Sequence, residues 1–96
     1  MANKKQSQIC IVTITGKDKV GIIAKISMAM SRANINIVDV NQKIMEEYFV
    51  MTMACDIAQA AVGLNEIQKK LARIAKQMEL IITIQHEDIF KMMHRV

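Results

Sequence analysis

Apolar residues in this chain are spaced first as a strand, then a helix, then two strands, a helix and a strand. That order restricts the fold more than any single motif does. Residues 8–15, QICIVTIT, are β-branched and apolar on both faces, as in a strand buried mid-sheet. Ile22, Ile26, Ala29, Met30 and Ala33 then recur on one helical face with Lys25 and Arg32 off it, which predicts a first helix over 20–33. NIN at 34–36 marks its exit, because Asn tolerates the left-handed conformation of a helix end. The second strand places Ile35, Ile37, Asp39, Asn41 and Lys43 on one side and Asn36, Val38, Val40, Gln42 and Ile44 on the other. One face is greasier, as on an edge strand.

Glu46 and Glu47 predict a hairpin turn, and residues 48–57 return with Phe49, Met51, Met53, Cys55 and Ile57 alternating toward a core. After the connector AQAAVG, Leu64, Ile67, Leu71, Ile74 and Met78 form one face of a second helix, with Lys69, Lys70, Arg73 and Lys76 outside it. LIITIQ at 80–85 is the last strand, and the following residues predict a short helix whose Ile89, Phe90 and Met93 cover apolar surface. The order β-α-β-β-α-β is that of an α+β ferredoxin-like sandwich. It implies a four-stranded antiparallel sheet in the order 4-1-3-2 with two helices on one face.

Ninety-six residues suit one domain, here over 8–96 behind a flexible polar leader at 1–7. A composition 52% hydrophobic and without proline predicts a compact chain. Cys10 and Cys55 lie in strand-like runs with no short spacing between them, which predicts buried thiols in a reducing compartment. No run approaches the roughly 18 apolar residues of a membrane span, and MANKKQSQ lacks a signal-peptide apolar core, so the expectation is a cytoplasmic protein. Thirteen Lys and Arg against nine Asp and Glu give +4, or +2 once Lys4 and Lys5 of the leader are set aside. A net charge that small argues against nucleic acid as a partner.

The loop TGKDKVG joins the first strand to the first helix, where free backbone N–H groups favour an anion. It is not a Walker loop, since Ile22 and Ile23 stand where Lys and Ser or Thr would follow Gly21, and it does not fit the dinucleotide fingerprint either. Asp18 suits a helix cap, and Gly21 suits close packing of helix on sheet.

The stretch TGKDKVGIIAKISMAMSRANINIVDVNQKI resembles the opening of an ACT domain: a strand, Asp-x-x-Gly, an aliphatic pair, a helix, and an Asn-Ile-like start to the second strand. With EEYFVMTMACDI, it is similar to small stand-alone ACT proteins of bacteria and archaea, and to the ACT segments of formyltetrahydrofolate deformylases and glycine-cleavage regulators. The resemblance spans about residues 9–84 and implies a regulatory module that binds an amino acid or related carboxylate. By position it implicates Gly16, Asp18, Gly21, Ile22, Asn34 and Asn36 as ligand-binding residues. Val20 departs from the proline common at that place in amino-acid-binding members.

Catalysis, metals and cofactors find no motif here. His86 and His94 are tied to no nucleophile or paired acid, and His86-Glu87-Asp88 suits a solvated turn better than a metal site. An RNA-binding ferredoxin-like domain would interleave aromatics on its third strand, whereas Tyr48 and Phe49 are adjacent and face opposite sides. A protein-interaction module without a ligand is the nearer alternative. The expected assembly is a homodimer through the proline-free second strand, handing its signal to a separately encoded enzyme or regulator.

Overall fold

The computed structural model describes residues 7–93. Lys4, Lys5, His94 and all but the last residue of the expected leader lie outside the described residues. Within them, β1 (Ile9–Lys17), α1 (Ile22–Arg32), β2 (Asn36–Met45), β3 (Tyr48–Asp56), α2 (Leu64–Met78), β4 (Leu80–His86) and α3 (Glu87–Met93) follow in chain order.

The sheet is antiparallel throughout, in the order β2-β3-β1-β4. Read from the other edge this is 4-1-3-2, as the element order requires. Register places Val12 opposite Met53 and Ile84, and Ile14 opposite Met51 and Ile82, so three strands present apolar rows to one side. Ile22, Ile26 and Met30 of α1 and Ile67 and Leu71 of α2 close over those rows. The sheet's other face is half-exposed, and its centre carries Asn41, Thr52, Thr13 and Thr83 in register across all four strands.

Cys10 and Cys55 are buried free thiols directly opposite each other on β1 and β3. Burial, aided by the neighbouring thiol, pushes Cys55 up to about 11, and burial likewise raises Cys10. Neither carries an appreciable thiolate fraction near neutral pH.

Three expectations are corrected. The first helix begins at Ile22, two residues later than its periodicity suggests, because Gly21 turns the chain with φ 92° just before it. The alternation of β2 does not run unbroken either. A bulge between Ile37 and Asp39 leaves Val38 unpaired and shifts the faces, so Ile37 shares the helix-covered side with Val40, Gln42 and Ile44. In α3, Ile89 and Met93 remain exposed and only Phe90 is half-buried, so this helix covers less than its apolar spacing implies.

Candidate functional site

The loop between β1 and α1 is held from two sides. Asp18 N donates to Glu47 O at 2.9 Å and Lys17 lies 3.4 Å from the Glu47 carboxylate, tying the loop to the β2–β3 turn. On the other side the Lys19 ammonium donates to Met78 O at 2.8 Å and to Glu79 Oε1 at 3.1 Å. That cation sits at the C-terminal end of α2, where the helix dipole favours it. Lys19 was absent from the sequence reading because its partner is 60 residues away.

The close packing expected of Gly21 falls to Gly16 instead. A side chain at Gly21 would meet nothing within 4 Å, so this glycine is there for its positive φ. Gly16 is the close-packing glycine: a Cβ there would lie 2.6 Å from Leu80 Cδ2 and 3.3 Å from Glu79 O. Asp18 does not cap α1. The cap position belongs to Gly21, no side chain caps the helix, and its first turn contains no acidic residue. The shape of the loop explains this, since its left-handed turn at Gly21 takes the cap position three residues downstream of Asp18.

That uncapped end opens into a hollow of about 430 Å³. Ile22, Ile23 and Ala24 at the helix start line one side with Asp18 and Gly21, while Gln42, Ile44 and Phe49 form the sheet side. The first N–H to find an intrahelical partner is that of Lys25, which donates to Gly21 O at 3.0 Å. The Asp18 side chain is exposed and carries no hydrogen bond or ion pair among the described residues. Val20 stands fully exposed at the loop tip.

Asn34 and Asn36 do not join this hollow. They line another, of about 550 Å³, with Ser27, Ser31, Ile37 and Gln59. Asn34 adopts φ 56° as expected, and its Nδ2 donates to Gln59 O at 2.8 Å. The two hollows sit at opposite ends of α1, whose eleven residues span about 16 Å. One chain therefore brings together Asp18, Gly21 and Ile22, leaves Gly16 beneath them in packing contact with Leu80, and keeps Asn34 and Asn36 apart.

Residues 8–85 match the ACT domain family. The chain belongs to that family.

ACT domains are a family of regulatory, ligand-binding domains. A UPF0237 protein of Listeria monocytogenes is 44% identical over 86 residues, covering 90% of this chain and 97% of the relative. Among solved structures, an ACT domain protein from Streptococcus pneumoniae superimposes with a TM-score of 0.76 at 27% identity, over 90% of this chain and 97% of that one. The fold is also shared with a formyltetrahydrofolate deformylase from Pseudomonas syringae, at a TM-score of 0.78 and 19% identity, over 84% of this chain and 28% of the deformylase.

In this ACT domain, Gln42, like Lys19, is a polar residue lining the hollow that the expected site did not include. Its signal was present, as a polar residue between Val40 and Ile44 on the greasier face of an edge strand. On the opposite sheet face Tyr48 is exposed, whereas Phe49 is buried on the helix-covered face, and threonines occupy the centre where RNA-stacking aromatics would lie. His86 ends β4, and its Nδ1 accepts from Asp88 N at 3.2 Å, so it helps start α3. No helix among the described residues is long and apolar enough to cross a membrane.

Proposed function

We propose that this ACT domain is a non-catalytic sensor or interaction module, and that a small amino acid or related carboxylate binds in the loop hollow. The observation that carries the reading is the N-terminus of α1, uncapped by any side chain, opening into a hollow that also holds the Asp18 carboxylate, unpaired among the described residues. Backbone N–H groups at Ile22 to Ala24 suit a ligand carboxylate, and the Asp18 carboxylate suits its ammonium group. Gln42 offers an amide to either. Gly21 permits the turn, and Gly16 lets the loop's base sit tightly on Leu80.

A homodimer completes the arrangement. β2 is the sheet edge, and Val40 and Ile44 are about half exposed on the side where α1 and α2 cover the other strands. Pairing β2 with its own copy about a twofold axis runs the two strands antiparallel, which brings the Asn36 end of one toward the Ile44 end of the other. Asn34 and Asn36 would then enter the ligand site from the second copy. The signal passes onward by association with a separately encoded enzyme or regulator.

The test is a thermal-shift screen of the twenty amino acids and related carboxylates. A ligand at a hundred dissociation constants adds about 2.7 kcal/mol of stability, well within reach of such a screen. Asp18→Asn removes the charge without disturbing a cap, since Asp18 caps nothing. The expected result is a melting temperature close to wild type with the ligand shift lost. Equal ligand shifts in both proteins would remove Asp18 from the site, and no shift with any compound would remove the ligand reading.

A further inference from the structure

A second surface runs along the seam between α1 and α2, and its chemistry begins in the charge. α1 carries Lys25 and Arg32 and no acidic residue, while α2 carries Lys69, Lys70, Arg73 and Lys76 against Glu66 alone. The two helices therefore net five positive charges, one more than the +4 of the whole chain, and all remaining segments together net one negative. A modest overall charge conceals a strongly polarised molecule.

Within this layer Lys69 lies 3.9 Å from Glu66, and Lys25 donates to Gln77 Oε1 at 2.9 Å. Arg32, Lys70 and Arg73 have no carboxylate at ion-pairing distance among the described residues. All three border one hollow of about 330 Å³ floored by Ala29 and Ile74. That hollow continues through Ala29, Arg32 and Ile74 into another of about 400 Å³, which adds Ala24 and Met28. The spacing behind the groove is regular. Lys25, Met28, Ala29 and Arg32 form one helical stripe on α1, and Lys70, Arg73, Ile74 and Gln77 form its counterpart on α2.

We propose that this seam is a docking groove for an acidic amphipathic segment of a protein partner. Carboxylates of the segment pair with Arg32, Lys70 and Arg73, and an apolar side chain rests on Met28, Ala29 and Ile74. A second copy of this chain is a poor occupant, because it presents the same positive layer. Nucleic acid would meet the cations but find nothing to stack on, since Tyr48, Phe49 and Phe90 all lie outside α1 and α2. A membrane would find only Ile23 and Met28 as large exposed apolar side chains among the described residues of these helices. The proposal stands independently of whether the loop hollow takes a ligand.

The experiment is fluorescence anisotropy with a labelled peptide of Glu and Leu at helical spacing, about five turns long. A peptide of identical composition in scrambled order is the comparison. Saturable, salt-sensitive binding to the helical pattern is expected, with weaker binding of the scrambled one. Arg32→Glu combined with Arg73→Glu should weaken binding about tenfold or more, while Lys43→Glu with Lys91→Glu, the same charge change elsewhere, should stay within about twofold. Arg32→Gln with Arg73→Gln repeats the test without charge reversal, and unchanged melting temperatures confirm that all variants fold. Equal binding of the groove variant and its control, equal binding of the two peptides, or no binding by wild type would overturn the proposal. So would tighter, groove-dependent binding of oligouridylate or of phosphatidylserine vesicles. Retention of any amino-acid-induced thermal shift by the groove variant separates this outcome from that of the loop site.

Discussion

Two glycines set the conditions under which the loop can work. Gly21→Ala introduces a side chain into open space but at φ 92°, so its cost is conformational, about 1–2 kcal/mol. Gly16→Ala drives a methyl group against Leu80 and the backbone at residues 79 and 80, an overpacking cost of about 1–3 kcal/mol. Urea denaturation should show both losses, and only the Gly16 variant should regain stability when Leu80 is shortened to Val. Asp56 offers a different test. Its Oδ1 accepts from Ala58 N and Gln8 N, each at 3.0 Å, and these backbone donors hold its carboxyl below the ordinary value of 3.8. A lowered native pKa stabilises the fold above the unfolded value and is lost as pH falls through the native one. Melting temperature should therefore fall less steeply below pH about 4 in Asp56→Asn than in wild type.

β2 is the element where local pattern and tertiary structure diverge. The other strands and both long helices were legible because their apolar residues face one continuous core, so the period in sequence is the period of burial. β2 has only its first residues near that core, and the bulge at Val38 inserts a residue that changes no composition or spacing rule. The candidate site was legible to a similar depth. Asp18, Gly21 and Ile22 are consecutive in a loop and stay together, whereas joining them to Asn34 and Asn36 required knowing that an eleven-residue helix separates the two groups. Lys19 was hidden because its partners lie about 60 residues away, whereas Gln42 was legible as a polar residue on the greasier face of β2 but not as a neighbour of the loop. The exposed apolar side of β2 carries the dimer proposal. Val40→Asp with Ile44→Asp should leave a folded chain, since both side chains are about half exposed, and should lower the mass in sedimentation equilibrium from two chains to one. A dimer mass unchanged by this variant would place the interface elsewhere, and a wild-type mass of one chain would remove it.

At the scale of the whole molecule, the ACT domain divides its surfaces by chemistry. The helix layer is strongly cationic, the open sheet face is centred on threonines, and the β2 edge offers exposed Val40 and Ile44 beside a charged loop and an uncapped helix end. Such a division suits a small regulatory domain, in which a partner contact on the helix seam leaves free the ligand hollow and the twofold contact, which share Ile44. The loop hollow is the claim on which the others depend least and the function depends most. Its most direct test is an amide-resolved NMR titration with whichever amino acid or carboxylate raises the melting temperature most. Saturable shifts should concentrate at residues 18–24 and 42–44, with a second set at Asn34 and Asn36 in the dimer but not in the Val40→Asp, Ile44→Asp variant. Shifts confined to the α1–α2 seam or to the open sheet face, or no saturable shift at all, would contradict the assignment of the loop as the ligand site.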